Sequence, residues 1–199
     1  MQQSTVLLRS AGYEVETETF KGEELAIPQR RARFFLLAVK QPISVVSALR
    51  QIRHALHAPA TPVSWAIGDL LDHESDTIMD TPPSVAATNL ERIDYLFAND
   101  LYDLPNDQRP YCHQNGTTYQ AVYGRMHWNR PAHTITTSFG SPGQGRYVHA
   151  LRRRLITPHE AARIQTFPDW FSFGQASQKA RSLLPHFFQG RVQCLFLSR

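Results

Sequence analysis

An arginine-rich segment, Gln29-Arg-Arg-Ala-Arg33, stands directly before the most apolar run of the chain. In extended chain, Gln29, Arg31 and Arg33 project to one face and Arg30 projects to the other. Beside a buried strand, one amide and two guanidiniums are costly unless they meet carboxylates, phosphates or polar base edges. The segment therefore indicates either a surface that binds anions or bases, or a solvated edge beside a Glu-rich strand. The residues alone do not decide between the two.

A second group of candidate binding residues alternates arginine with aromatic side chains. It comprises Arg125, Arg130, Arg146 and residues 152–154, interleaved with Tyr119, Tyr123, Trp128, Phe139 and Tyr147. Such alternation in loops and short strands suits contacts with phosphates and base edges. For each residue taken singly, a core aromatic with a solvated basic rim is the alternative.

Two other segments suggest catalysis but lack the context that it needs. Gly140-Ser-Pro-Gly-Gln-Gly145 leads into residues typical of a strand rather than a helix, so we predict a glycine-rich hairpin loop, not a phosphate loop. Cys112 has only His113 beside it, which is too few groups for a zinc site or an activated thiolate. We expect no metal site, and we interpret the histidines of residues 108–199 as polar surface.

The elements that must position these residues begin with half of an α/β sheet. Residues 3–11 predict the end of a helix that Gly12 closes, and residues 13–18 alternate as in a half-buried strand. Phe34–Val39 is apolar on both faces, which is typical of a central strand covered by helices. Because an independent sheet needs more strands, we expect the sequence to begin within a fold. Its open edge should favour aggregation or capture of a partner.

The rest of the chain predicts short helices joined by polar loops. Pro42 can open a helix with an apolar stripe from Val45 to Leu56, and another helix covers residues 90–101. Strand-like pieces follow at residues 118–123 and 134–139. Thr157-Pro-His-Glu160 is a capping box, which predicts a helix from Pro158 to about Thr166.

Composition describes an ordinary globular protein with an uneven charge. The chain has 199 residues, of which 42% are hydrophobic and 19% charged, so wholesale disorder and a coiled coil are excluded. Residues 1–107 hold nine Lys or Arg against 15 Asp or Glu, whereas residues 108–199 hold 12 against two. Eighteen of the 21 basic residues are arginine. This favours nucleic acid as the partner of the basic half, with an acidic protein surface as the alternative.

Membrane insertion and secretion are not indicated. The longest uninterrupted apolar run, Phe34–Val39, has six residues, and no apolar stretch follows the first methionine. Two cysteines make a disulfide framework unexpected. We therefore expect a cytoplasmic protein.

Three segments, in the same order, resemble the DNA cytosine-5 methyltransferases. Residues 26–33 and the apolar strand after them resemble motif VIII, and residues 154–169 resemble motif IX. Between these two, residues 123–137 are similar to the end of the target-recognition region. The resemblance covers residues 1 to about 173. After Phe173 the sequence departs from the family pattern, for which we suggest a frameshift or an altered reading of the end.

The resemblance implies methyl transfer from S-adenosylmethionine to carbon 5 of a cytosine flipped out of double-stranded DNA. The implied fold is α/β: the C-terminal part of a Rossmann-like methyltransferase domain plus a small mixed α/β target-recognition domain. Residues 1–40 would supply the last strands of the catalytic domain and residues 41–150 the recognition domain. Residues 151–199 would return to the catalytic domain and end in a divergent tail.

The resemblance also implies roles for individual residues. Arg33 would hydrogen-bond the flipped cytosine near its O2, with Gln29 and Arg31 bracing the pocket. The residues expected to contact DNA are Arg125, Arg130, Arg146, Thr134 and Thr136. The motif IX residues expected to hold the recognition domain against the catalytic domain are Arg154, Thr157, Glu160, Arg163 and Gln165.

Three family motifs are missing from the sequence. It contains no Pro-Cys nucleophile, no Glu-Asn-Val motif and no Gly-rich strand end for the cofactor, and Cys112 follows Tyr111. We therefore expect the chain alone to be inactive, with the S-adenosylmethionine site mostly outside it. A second polypeptide carrying those motifs would make a split enzyme; without one, the chain would be a decayed remnant. A non-catalytic DNA-binding module and an interaction protein with a basic partner are the alternatives from other classes.

Overall fold

The computed structural model describes residues 2–40, 44–73, 75–114 and 121–173. Its helices are α1 (Gln2–Ser10), α2 (Val45–Leu56), α3 (Val63–Ile67), α4 (Ala87–Ala98), α5 (Tyr111–Gln114) and α6 (Pro158–Ile164). Its strands are β1 (Glu14–Lys21), β2 (Gln29–Arg30), β3 (Ala32–Val39) and β4 (Ala132–His133). Within these residues, no helix combines the length and the apolar character that crossing a membrane requires.

The N-terminal part is a helix followed by an antiparallel strand pair. Helix α1 ends at Gly12, whose φ of 83° is the left-handed conformation predicted there. Strands β1 and β3 pair from Glu14 with Val39 to Lys21 with Ala32. In the described residues β3 has only β1 as a neighbour, and Phe34 is 48% exposed. The strand itself is confirmed, but the cover expected on both of its faces is not supplied by the described residues.

Helix α2 packs its N-terminal half against this strand pair. Val45 and Leu49 are buried, whereas Ile52 and Leu56 remain exposed, so only half of the predicted apolar stripe is covered. The Arg53 guanidinium forms ion pairs with Glu18 of β1 at 3.5 Å and with Glu24, in the turn after β1, at 3.6 Å. The predicted start of the helix at Pro42 lies outside the described residues, and α2 is seen to begin at Val45.

One hydrophobic core unites residues 63 to 167. Its members include Val63 and Ile67 of α3, Ile93 and Leu96 of α4, and Ile164 of α6. The segment predicted as a recognition domain therefore shares its core with the return segment. The predicted domain boundaries remain predictions.

The strands predicted in the second half are not seen in the described residues. Residues 134–136 are irregular and residues 137–139 form a turn, in which the Phe139 N–H donates to the Thr136 carbonyl at 3.2 Å, and residues 121–123 are also a turn. The remainder of the predicted piece at 118–123 lies outside the described residues. Val148 makes only isolated pairings, with Arg125 and Leu155, instead of continuing a strand. Loops that are held by single long-range contacts thus replace the expected ladders.

The capping box is confirmed. The Thr157 hydroxyl accepts from the Glu160 N–H at 3.1 Å, and the Glu160 carboxylate accepts from the Thr157 N–H at 2.8 Å. Helix α6 ends at Ile164, slightly before the predicted end, because Thr166 takes a left-handed φ of 64°. The divergent tail from residue 174 onward lies outside the described residues.

Candidate nucleic-acid interface

A short parallel strand pair joins the arginine-rich segment to the second half of the chain. Strand β2 pairs with β4, so that Gln29 lies opposite Ala132 and Arg30 opposite His133. The Thr134 hydroxyl donates to the Arg30 carbonyl at 2.9 Å, just beyond the pair. Two segments about a hundred residues apart are therefore brought together at one place.

The predicted row of Gln29, Arg31 and Arg33 is present but not on one continuous strand. The chain bends at Arg31, whose N–H donates to the Gln29 carbonyl at 3.0 Å and whose carbonyl accepts from Gly22. Gln29 is buried, Arg31 is half-buried and Arg33 is exposed. The sequence predicted that Gln29, Arg31 and Arg33 lie on one face of an extended strand. The bend contradicts this, because the Arg31 carbonyl accepts a hydrogen bond from Gly22 in the turn after β1.

Two buried donors in this row have no partner within the described residues. They are the side-chain amide nitrogen of Gln29, which is 1% exposed as a residue, and Nε of Arg31. The Arg33 guanidinium donates to the carbonyl of Ala32 at 2.8 Å. Because an unpaired buried donor costs about 1–3 kcal/mol, such groups mark a place where a further acceptor would stabilise the protein.

A basic rim surrounds the strand pair, formed by Arg30, Arg130, His127 and His133. Both arginines are exposed, and Nε of Arg30 lies 3.4 Å from the Glu23 carboxylate. Burial lowers the pKa of His127 and His133, and neighbouring arginines lower it further: Arg146 and Arg130 for His127, Arg146 and Arg30 for His133. Asp103 acts in the opposite direction on both imidazoles, so the lowered pKa values follow from burial first and from the surrounding arginines second.

Arg125 was predicted to contact DNA, but its guanidinium is occupied inside the protein. The residue is 8% exposed, and Nε donates to the Ala150 carbonyl at 2.7 Å. Nη1 lies 3.1 Å from the Asp100 carboxylate, and the guanidinium stacks 4.2 Å from the ring centre of Phe97. Arg125 therefore braces loops, and this placement argues against a direct contact with DNA.

Arg146 is engaged in the same way. It is 6% exposed and donates to the carbonyls of Tyr102 at 2.7 Å and Arg125 at 2.8 Å, and it pairs with Asp103. The Tyr102 carbonyl also accepts the Arg125 N–H at 3.0 Å, so withdrawal of the guanidinium would remove one of its two donors and the side-chain donor of the Arg125 carbonyl. Arg146, like Arg125, therefore has partners inside the protein, and the contact with DNA expected of both residues stays a prediction that this placement does not favour.

The two threonines predicted to contact DNA also have partners inside the protein. The Thr136 hydroxyl lies 2.8 Å from the hydroxyl of the buried Tyr147, and Thr134 donates to Arg30 as described above. Of the three arginines predicted to contact DNA, Arg130 alone stays exposed without an ion pair in the described part of the chain.

The motif IX residues form a buried network around the start of α6. Arg154 makes two parallel hydrogen bonds to Glu160, at 2.8 and 2.7 Å. Burial raises the pKa of Glu160, but the hydrogen bonds and charge of Arg154, together with His149 and Thr157, lower it on balance. Gln165 is buried and donates to the Ala161 carbonyl at 3.2 Å.

Arg163 links α6 to the preceding segment. Its guanidinium pairs with Asp169 and lies 3.0 Å from the carboxylate of Asp69, which follows α3. These contacts, which join the predicted recognition and return segments, hold the second half of the chain together. Among the described residues, these motif IX side chains make no polar contact with residues 1–40, so their predicted role in holding the catalytic domain stays a prediction.

His149 was expected on the surface, but it is fully buried. Its Nδ1 accepts the N–H groups of Leu151 at 2.9 Å and Arg152 at 3.0 Å. Burial lowers its pKa to about 4, although the carboxylate of Glu160, 3.4 Å away, acts in the opposite direction. The prediction failed because a backbone turn that needs an acceptor cannot be recognised from a single His in the sequence.

The glycine-rich segment serves tyrosine packing. Pro142–Gln144 forms a 3₁₀ turn instead of the predicted hairpin loop. A Cβ on Gly143 would lie 2.8 Å from the Tyr123 hydroxyl, and one on Gly145 would overlap the ring of Tyr147. The glycines at these two positions thus leave room for the tyrosine rings.

Comparison with known proteins adds an independent line of observation. The family model for C-5 cytosine-specific DNA methylase matches residues 1–184, which extends the similarity past Phe173. The Type II methyltransferase M1.BsuMI of Bacillus subtilis is 47% identical over 173 residues, covering 86% of this chain and 40% of that protein. The Type II methylase M.HgiDII of Herpetosiphon aurantiacus is 32% identical, covering 86% of this chain and 49% of that protein. The chain thus spans less than half the length of these relatives.

A solved structure agrees at the level of the fold. The crystal structure of the Dnmt2 methyltransferase of S. pombe superposes with a TM-score of 0.56 at 16% identity, over 92% of this chain and 55% of that chain. At this identity the likeness shows a mixed α/β methyltransferase fold and no more. The family match over nearly the whole chain carries the assignment further: the chain belongs to the C-5 cytosine-specific DNA methylase family.

Proposed function

We propose that this chain supplies the target-recognition region and part of the target-base pocket of a DNA cytosine-5 methyltransferase. The observation that carries the proposal is the pairing of β2 with β4. It sets the unpaired donors of Gln29 and Arg31 next to the exposed guanidiniums of Arg30 and Arg130. Donors for a base and cations for its phosphates are what extraction of a cytosine from a duplex requires.

The side of this surface that carries Gln29, Arg31 and Arg33 would receive a flipped cytosine. The base offers O2 and N3 as acceptors, and a guanidinium or amide N–H is the matching donor. Arg33, exposed on β3, would reach O2, and Gln29 and Arg31 would brace the pocket with the donors that are unpaired within the described residues. Flipping costs a few kcal/mol, which hydrogen bonds of this kind help to offset.

The basic rim would position the DNA backbone. Arg130 and Arg30 would contact phosphates, whereas Arg125 and Arg146 would hold the loops that carry the rim in shape. Thr134 and Thr136 would act in the same indirect way. Sequence-independent phosphate contacts of this type dominate affinity and make it dependent on salt.

Methyl transfer requires groups that this sequence does not contain. S-adenosylmethionine would supply the methyl group, and a Pro-Cys thiolate would activate carbon 6 of the cytosine. We infer that both sites lie on polypeptide corresponding to the unmatched part of the relatives. The open edge of β3 with Phe34, and the exposed Val6 and Leu7 of α1, are apolar surfaces that such polypeptide would cover.

The DNA-binding part is tested by fluorescence anisotropy of the full chain with a labelled mixed-sequence duplex. Binding should weaken as salt is raised, and Arg130→Ala should reduce the slope of log affinity against log salt by about one. Arg50→Ala, on the exposed side of α2, is the matched control and should leave the slope unchanged. Equal slopes for both variants, or no binding at low salt, would contradict the interface.

The catalytic part is tested by complementation. The portion of the Bacillus relative that this chain does not match, which would supply the missing motifs, is co-expressed with the chain, and transfer of tritiated methyl groups to DNA is measured. The expected result is activity with both polypeptides, little with either alone, and loss of activity with Arg33→Ala. DNA binding with no transfer in any combination would favour a non-catalytic binding module or a decayed remnant.

A further inference from the structure

A cluster of metal-binding side chains lies away from the proposed DNA surface. His73 and Asp80 come from the segment between α3 and α4, and His159 lies in the first turn of α6. One ligand atom from each of the three lies within 4.8 Å of the others. In a tetrahedral zinc site with bonds of about 2.0–2.1 Å, ligand atoms lie roughly 3.4 Å apart. A small rotation of the half-exposed His73 would therefore close the site.

The hydrogen bonds of His159 are the second observation. Its Nδ1 lies 2.7 Å from Asp80 and its Nε2 lies 3.2 Å from Asp169. A neutral imidazole has a single N–H, so it donates to only one of these carboxylates and turns a lone pair toward the other. A cation bound at Nδ1 and Asp80 removes this conflict, because Nε2–H then donates to Asp169. Metal-bound histidines are usually oriented by such a carboxylate.

The surroundings hold these groups in place. The Thr77 hydroxyl donates to Asp80 at 2.5 Å, and Arg163 holds Asp169 by its ion pair. A cavity of about 260 Å³, lined in part by Met79 and Phe167, opens beside His159 and Asp80. It leaves room for water as a fourth ligand.

We propose that His73, Asp80 and His159 bind a divalent transition-metal ion, with Zn²⁺ as the ion best matched to two imidazoles and one carboxylate. The bound ion would clip the segment before α4 to the start of α6, and so fix the return segment against the recognition region. The competing arrangement is an imidazolium that donates to both carboxylates without a metal. The two differ in whether zinc binds and in whether binding depends on His73.

The test is isothermal titration of the full chain, free of a polyhistidine tag, with ZnCl₂. Binding of one ion per chain is expected, and saturation at about a hundredfold excess over Kd should raise Tm by roughly 5–10 °C. His73→Asn and Asp80→Asn should each weaken binding about tenfold or more, whereas His54→Asn, on the exposed face of α2, should not. Substitution with Co²⁺ should give visible d–d absorption that His73→Asn reduces.

Absence of zinc binding by the wild-type chain would overturn the proposal and favour the imidazolium bridge. Binding that is equal in His73→Asn and His54→Asn would also overturn it, because the ion would then be held elsewhere. The His73 side chain is 46% exposed, so its variant is expected to fold, and circular dichroism checks that it does.

Discussion

Acidification should destabilise this protein through one buried histidine. His149 accepts two backbone N–H groups at Nδ1, so a proton there would break both hydrogen bonds. Burial lowers its pKa from 6.5 to about 4 in the folded chain. Between these values the unfolded chain binds a proton and the folded chain does not. The stabilisation is therefore complete above the unfolded pKa and is lost as pH falls toward the folded one.

The size of the effect follows from the two pKa values. From about pH 7 to about pH 5, the free energy of unfolding should fall by about 2 kcal/mol. For a chain of this size, that loss lowers Tm by roughly 4–8 °C. His127 and His133 also have lowered pKa values and act in the same direction, so the contribution of His149 must be isolated by a variant.

The assay is urea unfolding followed by circular dichroism at a series of pH values. His149→Asn is the matched variant, because its side-chain oxygen can accept the same N–H groups without titrating in this range. It should be less stable at neutral pH but should lose about 2 kcal/mol less than wild type on acidification. If the wild-type and variant stabilities fall in parallel, His149 is not the titrating group and the reasoning is refuted.

Two further predictions concern packing and the buried ion pair. Glu160→Ala leaves the Arg154 guanidinium without its carboxylate and should cost about 3–5 kcal/mol in urea unfolding, against less than about 0.5 for the exposed Glu91→Ala. A cost equal to that of the control would contradict the role assigned to the pair. Gly145→Ala drives a methyl group into a buried tyrosine ring and should cost about 1–3 kcal/mol in the same assay. Gly140→Ala, where a Cβ meets Pro83 at an ordinary 3.5 Å, should be near neutral, and equal effects would show that the ring moves aside.

Local signals in the sequence predicted the regular elements well. The alternation of residues 13–18, the apolar run of β3, the glycine after α1 and the capping box of α6 each involve residues within a few positions of one another. The interactions that favour these elements therefore depend on neighbouring residues in the sequence and not on the rest of the fold. The motif order also identified the family, which the match over residues 1–184 confirms.

The strand predictions failed where regular pairing gave way to long-range side-chain contacts. Residues 134–139 have strand-forming composition, yet Arg146 and Arg125 take up the carbonyls of neighbouring loops, and Tyr147 fills the space beside the glycine turn. An arginine has the same sequence signature whether its guanidinium meets a backbone carbonyl or a phosphate. Two of the three predicted DNA-contacting arginines were assigned to the surface for that reason.

The sequence by itself thus determined the family, helix α1, strands β1 and β3 and the capped helix α6. The binding of a base by the arginine-rich segment stays a prediction. Only the tertiary structure decided which cations stay free, because burial depends on neighbours that are distant in the chain. It alone placed β2 against β4, buried His149, and brought His73 and Asp80 to His159. Hydrophobic periodicity and helix caps depend on residues that are close in the sequence. The hydrogen-bond partners of buried polar groups depend instead on which remote segments pack together.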